Sequence, residues 1–163
     1  MKLRFLSIVA AAALLAACES APETAATNTG TGAAAQPAKT VGIVPGSEQD
    51  FIANVGDRVF FDYDKYSVRA DAKATLDKQV AWLKKYPTYN ITVEGHADER
   101  GTREYNLALG ERRANAIKEY LVGNGLPASR VKSISYGKER PVALGSNEAA
   151  WSQNRRGVTV LSK

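Results

Sequence analysis

Apolar positions fall into three regimes along the chain. Phe5 to Ala17 is apolar almost without interruption, Ser7 being the exception. From Glu19 to about Pro45 large apolar side chains nearly vanish, leaving Ala, Thr, Gly and Pro. From Asp57 onward the apolar residues recur with regular periods. Arg58-Val59-Phe60-Phe61-Asp62-Tyr63 is aromatic and β-branched and predicts a strand. Leu76, Val80 and Leu83 at i, i+4 and i+7 predict a helix from about Arg69 to Tyr86, closed by Pro87. Asn90 to Glu94 alternates as a second strand ended by Gly95. A long helix follows from about Arg103 to Val122 and stops at Gly123-Asn124-Gly125. Val131–Tyr136 predicts a strand, Gly137–Ser146 turns, Glu148–Ser152 a short helix and Gly157–Leu161 a last strand. The order β-α-β-α-β-(α)-β predicts an α/β two-layer sandwich, a mixed sheet with two main helices on one face.

The three regimes also set the domain organisation: residues 1–17, 18–45 and a folded domain over 46–163. In the first, Lys2 and Arg4 precede an apolar run too short to span a bilayer comfortably, and small residues end it, as in a secretory signal. The second cannot bury enough surface to repay ordering. As a tether of roughly 30 residues it has a mean reach of about 30 Å. Residues 41–56 carry Val41, Ile43, Val44, Phe51, Ile52 and Val55, enough to pack as an arm on the domain.

Composition narrows the chemistry. Of 163 residues one is Cys and one is His, so a disulfide framework and a paired-histidine zinc site are both excluded. The formal charge is +5, and removing residues 1–17 takes away Lys2 and Arg4 and no acid, leaving +3. So small a surplus on an exported chain argues against nucleic acid as a partner.

The charged residues that matter gather where the second strand passes into the long helix, in Gly95-His96-Ala97-Asp98-Glu99-Arg100-Gly101-Thr102. Ligands of α/β sheets favour this position, beyond the carboxyl end of a strand. At 100° per residue, with Ile117 as the apolar centre, Arg112 lies about 140° away and faces solvent. Arg113 lies about 40° away, at the edge of the apolar stripe. A guanidinium there needs acceptors, because an unpaired buried charge is costly. Spacing alone leaves two partners open, an internal carboxylate or the carboxylate of a ligand. His96 with Asp98, Glu94 and Glu99 raises an alternative, a hydrolase or metal-dependent enzyme with His96 as base and Asp98 as its orienter. Against an enzyme, no Ser or Cys stands in a nucleophile elbow, and a catalytic metal wants three protein ligands. Asn106 reads as a structural amide tying the preceding loop. Gly95, Gly101 and Gly110 read as turn or close-packing positions, and Trp82 and Trp151 as packing residues, with an exposed Trp151 also suiting a protein interface. Arg155 and Arg156 read as a solvated pair opening the last strand, the alternative being that one of them adds positive potential near the pocket.

Two resemblances extend this reading. Leu15-Ala16-Ala17-Cys18 resembles the lipobox of bacterial lipoproteins, which implies cleavage before Cys18 and acyl chains, palmitate among them, on its sulfur and new amino group. Glu19 after the Cys is then compatible with sorting to the outer membrane. Phe61-Asp62-Tyr63-Asp64-Lys65-Tyr66, the Gly95–Thr102 run with Glu104-Tyr105-Asn106 and Gly110-Glu111-Arg112-Arg113-Ala114, Ser135-Tyr136-Gly137-Lys138, and Asn154-Arg155-Arg156 together resemble the OmpA-like C-terminal domain family, in particular its lipid-anchored members. Arg103 departs from the proline frequent there, a cost of a few tenths of a kcal/mol against the helix dipole. The resemblance implies a non-enzymatic domain that binds the peptide stem of peptidoglycan at meso-diaminopimelate. By the same resemblance Asp98 takes the ammonium and Arg113 the carboxylate, with Tyr63, Asp64, Arg100 and Leu109 as further contacts. It also implies TolB and the other Tol proteins as partners, a place on the periplasmic side of the outer membrane, a part in constriction at cell division, and no cofactor beyond the lipid on Cys18. Asp98→Ala or Arg113→Ala is expected to abolish wall binding and leave the fold intact.

Overall fold

The computed structural model describes residues 42–163. The signal segment, Cys18 and nearly all of the tether lie outside these residues. Four strands form one sheet in the order β1-β4-β2-β3. They are β1 (Arg58–Phe60), β2 (Asn90–His96), β3 (Val131–Gly137) and β4 (Arg156–Ser162). β4 pairs antiparallel with β1 and with β2, whereas β2 and β3 run parallel. A parallel pair requires a crossover, supplied here by the long helix between them. The sheet is thus mixed, as the element order predicts.

Three helices flank it after a single turn, α1 (Glu48–Asp50): α2 (Ala70–Lys85), α3 (Arg103–Gly123) and α4 (Glu148–Asn154). The predicted period is the buried one. Leu76, Val80 and Leu83 of α2 and Ala114, Ile117 and Leu121 of α3 pack with Val59, Ile91, Val93 and Val131 of the sheet in one core. The opposite sheet face leaves Phe60, Ile134 and Val160 exposed. The expected arm packs only in part: Phe51 is buried against Trp82, whose Nε1 donates to Asp50 Oδ2 at 2.9 Å, and Val55 packs against the core, whereas Ile43, Val44 and Ile52 are exposed and Val41 lies outside the described residues.

Two element boundaries differ from expectation. β1 ends at Phe60 rather than Tyr63, because the chain turns at Asp62–Lys65, where Lys65 N donates to Asp62 O at 3.2 Å. Tyr63 and Asp64 therefore stand in a loop. β2 continues through Gly95 to His96, with a register shift between them. Gly95 serves close approach and not strand termination: a Cβ there would lie 1.8 Å from the carbonyl oxygen of Gly110 on α3. The pair of glycines lets helix and strand backbones touch.

Candidate functional site

The turn after β2 is fixed by backbone and amide bonds before any charge is considered. Ala97 N donates to Gly137 O at 2.8 Å, and Thr102 caps α3 by accepting from Tyr105 N at 3.2 Å. Asn106 Nδ2 donates to the carbonyls of Arg100 and Thr102 at 2.8 and 3.0 Å, the structural role its position predicts. Asp98 is thereby held 5% exposed at the base of a crevice.

Its carboxylate is fully engaged. Oδ1 accepts from Arg100 N and Nε, each at 3.1 Å, and Oδ2 accepts from Arg100 Nη2 and, at 3.4 Å, from Arg155 Nη1. Burial raises the pKa of this acid, but the hydrogen bonds from Arg100 and Arg155 outweigh it and hold the carboxyl below its ordinary range. Arg100 is in turn held between two aromatic faces, 4.1 Å from the Tyr63 ring centre and 4.0 Å from that of Trp151. Trp151 keeps its place by donating from Nε1 to Glu99 Oε1 at 2.9 Å.

Arg113 is 0% exposed, and among the described residues no internal carboxylate partners it. Nε donates to Lys65 O at 2.8 Å, Nη1 to His96 O at 2.8 Å and Nη2 to Asp62 O at 3.1 Å. Backbone carbonyls satisfy it, not a carboxylate. Burial lowers its pKa to about 10, with the nearby Asp98 charge acting in the opposite sense, so it remains a cation at neutral pH. A guanidinium has five N–H donors; after three bonds, one remains on each of Nη1 and Nη2. The same bonds tie the 62–65 loop to β2 and α3. Arg113→Ala therefore removes a structural tie and is expected to lower stability as well as wall binding.

Asp98 and Arg113 do not bond to one another. Both face a crevice of about 160 Å³, and Tyr63, Asp64, Arg100 and Leu109 line it with them. All six residues singled out in the sequence thus meet at one place. Asp64 has φ +54°, a left-handed conformation that Asp tolerates better than most residues, and it accepts a hydrogen bond from Tyr105 OH.

Tyr105 also lines the crevice and is missing from the sequence-derived set. The available signal was its position: Tyr105, Leu109 and Arg113 follow at i, i+4 and i+8 on one face of α3. Arg155 and Arg156 overturn the reading as a solvated pair, since both are buried. Arg155 donates to Phe61 O at 3.1 Å, to Asp98 and to Glu148, joining the residue after β1, the turn and α4. Arg156 Nη2 donates to Arg140 O at 3.1 Å.

His96 does not serve Asp98. Its side chain is 2% exposed beside Tyr136, outside the crevice lining, and neither ring nitrogen has a hydrogen-bond partner among the described residues. Burial, then the positive charges of Arg156 and Arg140, lowers its pKa to about 4. Glu94 Oε2 lies 3.6 Å from Nε2. Among the described residues no three His, Cys, Asp or Glu side chains converge on a metal position.

The chain is similar to known proteins. Residues 60–155 match the OmpA family. A peptidoglycan-associated lipoprotein of Rhizobium meliloti is 68% identical over 117 residues, 72% of this chain and 66% of that protein, so the chain spans just under two thirds of that relative's length. One of Brucella melitensis is 63% identical over 118 residues, 72% of this chain and 70% of its own. The crystal structure of the peptidoglycan-associated lipoprotein from Burkholderia pseudomallei superposes with a TM-score of 0.67 at 41% identity, covering 70% of this chain and 98% of that one.

Proposed function

The chain belongs to the OmpA family, and from that premise we propose that its domain binds the stem peptide of peptidoglycan non-covalently, without catalysing a reaction on it. The observation that carries this reading is the pair of opposite charges on one crevice, Asp98 and Arg113, buried and not bonded to each other. The free α-amino-acid end of meso-diaminopimelate presents an ammonium and a carboxylate a few ångströms apart. The two remaining N–H groups of Arg113 suit the carboxylate, and charge-assisted bonds of this kind are the strong ones. Asp98 suits the ammonium, with Arg100 yielding part of its hold. Tyr63, Asp64 and Leu109 supply the walls. The names of the relatives, which pair peptidoglycan with lipoprotein, support the same reading.

At the other end of the chain, acyl groups on Cys18 would hold the protein in the outer membrane with the domain on the periplasmic side. The tether would then let it reach the wall. More than one acyl chain is needed for stable anchoring, at about 0.8 kcal/mol per buried CH₂. Many weak contacts on one wall act together through effective concentration. In this arrangement the domain links outer membrane to wall and works with TolB and the other Tol proteins during constriction.

The test is co-sedimentation with purified sacculi, using Asp98→Asn to keep the shape and remove the charge. The expected result is loss of sedimentation with an unchanged circular dichroism spectrum. Undiminished sedimentation of the variant removes Asp98 from the ligand site. Soluble fragments released from sacculi by the intact protein would turn the reading toward a hydrolase.

A further inference from the structure

Beside the crevice lies a second, larger depression of about 250 Å³, lined by Tyr66, Arg112, Asn115, Ala116 and Glu119. No step of the peptide reading uses it. We infer that this groove is a subsite for a sugar ring, specifically an N-acetylated hexosamine of the glycan strand that carries the stem; the inference rests on the peptide reading of the crevice and extends it.

Three observations lead there. The first is chemical. Tyr66 is 48% exposed with the Arg112 guanidinium 5.6 Å from its ring centre, on a surface that also exposes Tyr63 and Tyr105. A pyranose offers an apolar C–H face and a polar rim, and an exposed aromatic ring flanked by hydrogen-bonding groups matches both. The second is hydrogen-bonding capacity. Asn115 Oδ1 accepts from Ser133 Oγ at 2.9 Å, and its Nδ2 makes no hydrogen bond among the described residues. That amide can donate to an acetamido carbonyl. Arg112 and Glu119 form no ion pair among the described residues, leaving a donor and an acceptor for ring hydroxyls.

The third is distance. Crevice and groove share two elements, the Tyr63–Tyr66 loop and α3. Leu109 lines the first and Ala116 the second, seven residues apart, which is about 10 Å along the helix. In peptidoglycan a lactyl ether and two residues separate the sugar from diaminopimelate, at about 3.5 Å each, again about 10 Å. A stem seated in the crevice can therefore set its own sugar over Tyr66.

The experiment measures affinity of the full chain in detergent by isothermal titration, for a disaccharide-peptide and for the same diaminopimelate peptide without sugar. The sugar-bearing compound is expected to bind about two- to ten-fold tighter, the worth of one good aromatic stack. Tyr66→Ala and Arg112→Ala are each expected to shrink that difference and leave the affinity for the free peptide unchanged. Tyr66→Phe, which keeps the ring, should retain most of it. Equal affinity for the two compounds, or a difference that survives both alanine variants, overturns the sugar subsite alone. Failure of both compounds to bind overturns the crevice reading, and the sugar subsite with it.

Discussion

Replacing Arg113 by alanine deletes a buried cation that donates to the carbonyls of Asp62, Lys65 and His96. Hydrogen bonds from charged groups contribute about 1.5–3 kcal/mol each. They do not add here, because only the bond to His96 is wholly buried and the other two carbonyls lie where water can replace the donor. One full bond and fractions of two others come to about 4 kcal/mol, and the lost aliphatic stem adds about 1 kcal/mol. Relief from burying a charge, visible in the pKa lowered to about 10, works the other way. The net expected loss is about 2–4 kcal/mol, on the order of 10 °C in Tm for a domain of this size. Urea unfolding at pH 7 reads it directly, with a lower midpoint and an unchanged slope. Arg113→Lys keeps the charge without the fork and should fall between the two. A loss below about 0.5 kcal/mol for the alanine variant would refute the argument, because Arg113 would then not be holding the 62–65 loop.

Two further outcomes follow from the packing. His96 has a pKa near 4 when folded and 6.5 otherwise. The unfolded chain therefore binds its proton first, and stability should fall as pH drops from about 6.5 to about 4, by about 2–3 kcal/mol. His96→Gln should flatten that part of a pH series of denaturation curves; an equally steep curve would assign the loss to other groups. Gly95→Ala should cost about 3 kcal/mol or more, because its Cβ would meet Gly110 O at 1.8 Å, and backbone cannot rotate aside. Gly110→Ala meets the rotatable Ser135 Oγ at 2.3 Å and the backbone oxygen of Gly95 only at 2.8 Å, and should cost less in the same unfolding assay; the reverse order would contradict these contacts.

Much of the fold was legible because it rests on period. Leu76, Val80 and Leu83 had to share one helix face, and all three are in the core. The strand ends were less legible: β1 stops early because the chain turns at Asp62–Lys65, where Lys65 N donates to Asp62 O, a turn that the aromatic and β-branched run leading into it does not announce. In the site, helix geometry placed Arg113 at the edge of the buried stripe, and the family resemblance brought its five companions. The partners of Arg113 were hidden for a plain reason. A backbone carbonyl carries no residue identity, so a search for acceptors among side chains passes over it. Arg155 was misread because two adjacent arginines at a strand start look like a solvated rim until the fold sets Asp98 and Glu148 beside the first of them.

Asp98 accepts four hydrogen bonds from its own chain, as many as a carboxylate has lone-pair positions. A cation arriving from outside must dislodge one already there, Arg100 being the outermost candidate, with its side chain 30% exposed. Capture is then a swap of one positive charge for another, not a neutralisation. Its free energy is the small remainder of two similar terms, and added salt should weaken it only slightly. If the domain binds the wall as proposed, such an attachment exchanges easily, which suits a wall that is continually being rebuilt.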